Sequence, residues 1–195
     1  MKKILFFAIL LLPSLIVFSQ INLSIYKDMV ENTCTYETSG KESKSLGLHL
    51  KVMYPCLLKS GESLFPHTLR QFKFSDEINT YLMIEIVVFG FDKTPTKEEK
   101  DMLQQLDVTP EGGRLISLRA LTINNIPAKE CIFSKVDEKG LNTINTTFGF
   151  YFKDKLIGIN YIYSNLGSYE KVNAEYGLIK SKIERLLYMT EISNN

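Results

Sequence analysis

Four segments of alternating apolar and polar residues follow one another closely from Arg114 to Ser164, and they constrain this fold more than any other stretch. They read RLISLRALTI, AKECIFSKV, NTINTTFGFYF and LIGINYIYS, separated by Asn124-Asn125, by Asp137 to Gly140 and by Lys153-Asp154. A period of two marks a half-buried strand, and connections this short join antiparallel neighbours. Asn124, Asn125, Asp154 and Gly140 stand where tight turns want positive φ. The stretch therefore reads as a four-stranded meander. Within it, Ile144, Phe148, Phe150 and Phe152 point one way, and Ile157, Ile159, Tyr161 and Tyr163 do the same on the next strand. Cross-strand aromatic and β-branched pairs of this kind stabilise a sheet by about 0.2–1 kcal/mol each.

The flanking segments decide whether the meander belongs to a sandwich of sheets or to a sheet packed by helices. Leu48 to Tyr54 alternates, with Leu48, Leu50, Val52 and Tyr54 on one face, and Pro55 ends it because proline offers no ladder donor. Thr68 to Phe74 is a further strand with Arg70, Phe72 and Phe74 on one side. Tyr81 to Phe91 is apolar on both: Leu82, Ile84, Ile86 and Val88 share one face, Tyr81, Met83, Val87 and Phe89 the other. Such a strand is covered on both sides. Thr96-Lys97-Glu98-Glu99 has the capping-box pattern and opens a helix through about Leu106 that buries Met102, Leu103 and Leu106. Tyr169, Val172, Tyr176, Ile179, Ile183 and Leu186 recur at helical spacing to Tyr188, with Ser168 as N-cap, and form a face that docks on the sheet. The expected fold is α+β: an antiparallel sheet of about six to seven strands, ending in the meander and flanked by helices on both faces as an α/β/α sandwich.

At the N-terminus, Met1-Lys2-Lys3 precedes the uncharged run ILFFAILLLPSLIVF and then Ser19 before Gln20, the three-part order of a secretory signal peptide. The run is short for a membrane span, contains Pro13 and Ser14, and lacks a basic flank behind it. The expected organisation is a signal peptide over 1–19, a polar arm over 20–46 in which Thr33 to Thr38 could pair as an edge strand, and a single domain over 47–190. The product would be periplasmic or secreted, with no stable membrane insertion after cleavage. The formal net charge of +1 stays close to neutral with or without Lys2 and Lys3, so nucleic acid is not an expected partner. Three cysteines, Cys34, Cys56 and Cys131, allow at most one internal bridge in an exported chain. None is spaced as CxxC, and small buried apolar residues are the favoured reading.

No residue pattern carries a recognisable chemistry. Glu85 stands alone among apolar neighbours in the two-faced strand. Buried without a partner it would hold its proton and suit a general acid; paired with a cation on a neighbouring strand, or at the rim of the sheet, it would be structural. His49 and His67 are the two histidines, read as solvent-facing, with nothing that fixes their separation. Gly61-Glu62-Ser63 lacks the second glycine of a nucleophile elbow, and Gly112-Gly113-Arg114 lacks the length and lysine of a phosphate loop. No catalytic residue, metal ligand or cofactor is expected.

The strand HLKVMYP ending in Tyr54-Pro55, the hairpin Ile123 to Ala128 ahead of a long meander, and the C-terminal amphipathic helix together resemble the exported relatives of the PsbP and Mog1 fold, over roughly Gly47 to Met189. The resemblance implies an antiparallel sheet between helices and leaves function open, because fold does not fix function. The leading expectation is a non-enzymatic exported domain that binds another envelope or secreted protein as an accessory factor through the Tyr-rich meander. The alternative is a carrier of a small apolar ligand between helix and sheet, lined by Phe148, Phe150, Tyr161 and Tyr163, with Glu85 as a polar candidate.

Overall fold

The four-stranded meander forms, and the rest of the chain builds outward from it. In the computed structural model, residues 31–61, 67–75, 81–90, 96 and 113–194 are described. The expected signal peptide and, beyond Thr96, the expected helix to Leu106 lie outside the described residues. In chain order the elements are β1 (Thr33–Glu37), α1 (Gly40–Leu46), β2 (Leu48–Pro55), β3 (Lys59–Gly61), β4 (Thr68–Ser75), β5 (Tyr81–Gly90), β6 (Arg114–Ile123), β7 (Ile126–Val136), β8 (Leu141–Phe152), β9 (Lys155–Leu166), α2 (Tyr169–Tyr188) and β10 (Glu191–Asn194). Seven strands form one antiparallel sheet in the order β3-β4-β5-β9-β8-β7-β6, and β1-β2-β10 form a second. With two helices among the described residues, the class is α+β.

Register shows how the alternation becomes a core. Phe72, Ile84, Tyr161, Thr146 and Ile132 lie side by side across five strands on the first face of the large sheet. Against this face pack Val172, Tyr176, Ile179, Ile183 and Leu187 of α2, together with Leu48, Leu50 and Val52 of β2. Tyr54 stacks on Phe72 with ring centroids 3.9 Å apart, and Tyr36 approaches the same ring at 6.0 Å. Each such side chain, fully buried, contributes about 1.5–3 kcal/mol. The three-stranded sheet is thus part of the cover over the first face, beside α2. The second face carries Gln71, Glu85, Asn160, Thr147 and Cys131 in the corresponding row, and Met83 and Phe133 on it are buried as well.

The edge strand read at Thr33 to Thr38 forms as β1, and the expectation of a polar arm through residue 46 is corrected where α1 follows it. β1 pairs antiparallel with β2 from Thr33↔Pro55 to Glu37↔Lys51. Ser39 and Glu42 form a reciprocal capping box at the start of α1: the Glu42 amide donates to Ser39 Oγ at 3.2 Å, and the Ser39 amide to Glu42 Oε2 at 2.8 Å. Gly47, at φ 67°, ends the helix in the left-handed conformation that glycine adopts without strain. The favoured reading of the cysteines is corrected too. Cys34 and Cys56 form a disulfide, while Cys131 is buried and takes no part in it. At the other end, β10 extends the domain past residue 190, paired to β2 and tied by Lys51 Nζ to Glu191 Oε1 at 2.8 Å.

Two turns repay the sequence reading and one amends it. Asn124 and Asn125 both take positive φ, 46° and 65°, and Gly140 takes 77°. Between β8 and β9, however, Lys153 (φ 55°) adopts the left-handed angle in place of Asp154. Opposite that turn, Gly149 and Gly158 pair across β8 and β9 on the second face. A Cβ on Gly158 would lie 2.6 Å from Val87 Cγ2, and β-branched Val87 has little rotamer freedom to retreat. Gly158→Ala should therefore cost about 1–3 kcal/mol, with most of the loss recovered in Gly158→Ala/Val87→Ala; urea denaturation of the two variants checks both.

Candidate functional site

The residues singled out from sequence do not converge on one place. Phe148, Phe150, Tyr161 and Tyr163 lie on the first face, all buried in the core cluster. Phe148 meets Tyr161 edge-to-face at 5.9 Å. Glu85 points from the opposite face, since its cross-strand partners are Gln71 and Asn160. Strand alternation alone separates the carboxylate from the aromatics by the thickness of the sheet.

Glu85 is 7 % exposed and engaged by neutral donors. Its Oε1 accepts from the Thr68 hydroxyl and the Gln71 side-chain amide, both at 2.9 Å, and its Oε2 accepts from the Asn160 amide at 3.2 Å. The expected alternatives of a cation partner or a place at the rim are both replaced by this mid-sheet polar row. The carboxylate also contributes, after burial, to raising the Tyr81 phenol above its ordinary range.

The histidine reading changes as well. His49 is half-buried: its Nδ1 lies 3.3 Å from Thr38 Oγ1 and 3.4 Å from Ser43 Oγ, and its Nε2 lies 3.0 Å from Glu37 Oε1. Serine, histidine and an acid within reach are the ingredients of an activated nucleophile. Here they hold α1 against β1 and β2. Ser43 is 3 % exposed, and its Oγ is also 2.7 Å from Thr38 Oγ1, so no substrate carbonyl can approach it. His67 is exposed, as expected, with φ 68°. Among the described residues no group of three or more His, Cys, Asp or Glu side chains could hold a metal ion.

Two ion clusters on the first face escaped the sequence reading. Glu130 is fully buried, and Arg119 grips it from β6, Nε to Oε2 and Nη2 to Oε1 at 3.0 Å. The same guanidinium bonds Glu184 of α2, which Lys180 approaches at 3.4 Å. Hydrogen bonding to Glu130, more than the charge of Glu184, raises Arg119 further above its already high range. The signal was present: Glu130 has the same parity as Ala128 and Ile132, two core residues. Nearer the start of α2, Glu175 accepts from Tyr163 Oη at 2.8 Å and Asn165 Nδ2 at 2.9 Å, with Lys171 Nζ 3.8 Å from its other oxygen. Both clusters fasten helix to sheet.

The Tyr161 hydroxyl is buried without a hydrogen-bond partner, and burial pushes its phenol far up. Burial also takes the Tyr176 phenol up to about 12, despite its bond to Thr146. Below about pH 10 these phenols are protonated in both the folded and the unfolded chain, so their contribution is constant. As pH rises further, the unfolded chain releases protons that the folded one keeps, and stability is lost. Tyr161→Phe should gain about 1 kcal/mol at neutral pH by removing an unsatisfied hydroxyl, and should flatten the decline above pH 10. Urea midpoints from pH 7 to 11 measure both effects.

The remaining candidate is an edge. β6 ends the large sheet and has β7 as its one described neighbour. Leu115, Ile116 and Leu118 on it are 47 %, 40 % and 50 % exposed. This ten-residue edge strand shows three large aliphatic side chains beside its exposed Arg114 and Arg119, and a bulge between Leu115 and Ser117 interrupts its register.

No protein-family model matches the chain, and no curated protein matches it. Solved structures do. Cyanobacterial PsbP (CyanoP) from Synechocystis sp. PCC 6803 aligns with a TM-score of 0.53 at 11 % identity, over 83 % of this chain and 93 % of that one. LpqN, involved in cell envelope biogenesis of Mycobacterium tuberculosis, aligns at 0.50 and 11 %, over 83 % and 91 %. The Ran-binding protein Mog1p of Saccharomyces cerevisiae aligns at 0.50 and 8 %, over 82 % and 95 %. At such identities the likeness is one of fold, and it covers nearly the whole of each relative. The chain has a PsbP/Mog1-like fold.

Proposed function

We propose that this chain is an exported, non-enzymatic domain that binds another envelope or secreted protein as an accessory factor, with the β6 edge as its contact. The observation that carries the reading is the exposed Leu115, Ile116 and Leu118 on a strand whose outer edge has no neighbour among the described residues, a surface suited to addition of an extended partner segment. Support comes from the fold: Mog1p is a Ran-binding protein and LpqN is involved in cell envelope biogenesis. Export is supported by the leader pattern of Met1 to Ser19 and by the Cys34–Cys56 disulfide, which suits an oxidising compartment. No described helix is long and apolar enough to cross a membrane. The fuller layered architecture, with helices on both faces of the sheet, belongs to the same proposal and is supported by the burial of Met83 and Phe133 on the second face.

The carrier alternative has less support, because the four aromatics that would line its gap are packed in the core. A hydrolase using Glu85 or a histidine has less still, given the neutral donors around Glu85 and the burial of Ser43. The test is capture from envelope extract with the wild-type chain and with Leu115→Thr/Leu118→Thr. One protein recovered stoichiometrically by the wild type and lost by the variant, at an unchanged melting temperature, is the expected result. Equal recovery by both chains overturns the edge as the contact. Recovery of nothing, with a ligand found by native mass spectrometry, overturns the reading in favour of a carrier.

A further inference from the structure

The polar row on the second face carries a charge that no described residue matches. Gln71, Glu85, Asn160 and Thr147 stand side by side on four adjacent strands. The three groups that bond the Glu85 carboxylate are neutral. None of the ion pairs among the described residues includes it. Dipoles alone compensate a buried carboxylate poorly. Oε1 already accepts two hydrogen bonds and Oε2 one, so the anion keeps acceptor capacity.

A second observation points the same way. Gln71 is 2 % exposed, and while its Nε2 donates to Glu85, its Oε1 is buried with no partner. Both atoms belong to one planar amide, so the orphaned acceptor lies close to the carboxylate. Unsatisfied buried acceptors are few in folded proteins, and each calls for a cause. An unmatched negative charge beside an unmatched acceptor is completed by a group that is positive and donates several hydrogens. The row is within reach of solvent, since Val87, Asn160, Thr147 and Ile162 are partly exposed. Next to Thr147, Gly149 leaves room above the sheet, where a Cβ would meet, among the described residues, only Leu156 Cδ1, at 3.9 Å.

We propose that this row binds one cationic nitrogen group, the ammonium or guanidinium of an organic cation, with Glu85 supplying the charge, Gln71 Oε1 a second acceptor, and the Thr147–Gly149 side the space for its stem. A divalent metal fits less well, because it wants about six or more oxygen ligands and Glu85 is the one carboxylate in the row. The site faces away from α2 and lies toward the β4 side of the sheet, opposite the β6 edge, so it stands or falls separately from the proposed protein contact.

The test is an NMR titration of the wild-type chain with propylammonium chloride, read at the side-chain amides of Gln71 and Asn160. Tetramethylammonium chloride at equal ionic strength serves as a cation that cannot donate. Saturable shifts with propylammonium alone, weakened on the order of tenfold or more in Glu85→Gln, are expected. Shifts that do not saturate, shifts of the same size with tetramethylammonium, or full affinity in Glu85→Gln would overturn the site. The comparison of the two salts on the wild type decides the matter even if Glu85→Gln does not fold. Acetylated lysine and arginine amides distinguish the sources: tighter binding than propylammonium assigns the group to a protein side chain, and equal or weaker binding assigns it to a free amine.

Discussion

Replacing Arg119 by Met should destabilise the domain by about 3 kcal/mol, while Arg119→Met/Glu130→Leu should come within about 1 kcal/mol of the wild type. Breaking one side of a buried ion pair leaves an uncompensated charge, at a cost of about 3–5 kcal/mol, whereas removing both charges is often near neutral. The lower end applies because Glu130 is fully buried but Arg119 is 45 % exposed, so water reaches the outer half of the pair. The third member sharpens the test. Arg119 also bonds Glu184 on α2, so Glu184→Gln alone should cost much less, about 0.5 kcal/mol for a partly exposed pair. Urea unfolding of the wild type, Arg119→Met, Glu130→Leu and the double variant gives the cycle, with Glu184→Gln measured beside it. A double variant as unstable as Arg119→Met would show that the guanidinium acts through packing and not through the charge of Glu130.

Loss of the Cys34–Cys56 bond should remove about 3 kcal/mol, the loop-closure value for residues separated by 22 in sequence. The loop contains all of β1 but Thr33, together with α1 and β2, so the constraint acts on an element group that contributes Tyr36, Leu48, Leu50 and Val52 to the core. Cys34→Ser/Cys56→Ser, or the wild type under reductant, should therefore unfold at a clearly lower urea concentration. Cys131→Ser should leave the response to reductant unchanged. An identical midpoint with and without reductant would show that the pairing of β1 with β2 suffices on its own.

What was legible in the sequence follows from the range of the forces involved. α2 runs from Tyr169 to Tyr188 with Ser168 as its cap, as its periodicity requires, because twenty residues carry many repeats of one signal. The meander was equally readable, since each strand is joined to the next by a turn of a few residues. By contrast α1, with seven residues, is too short for a periodic face, yet Ser39-Gly40-Lys41-Glu42 carries the same capping-box signature that was read at Thr96. β10 has four residues and no pattern of its own; it is a strand because β2 offers it a free edge. The surroundings of Glu85 were not readable at all. Alternation states which face a residue takes, but the pairing of β5 with β9, far apart in sequence, is what brings Asn160 to the carboxylate. The same long-range pairing fills the first face so completely that Phe148 and Tyr161 serve as packing.

Tension is a further way to look at the junction of β1 and β2. A pull on the chain ahead of Thr33 would peel β1 from β2 rung by rung, the weakest geometry for an antiparallel pair. The peeling meets Cys34 after a single rung, Thr33↔Pro55, and there the load passes through a covalent bond to the residue that follows β2. The chain between the two cysteines then carries none of it. A domain held by its N-terminal segment in this way keeps its smaller sheet intact under load for as long as the disulfide stands, and reduction would let that segment lengthen.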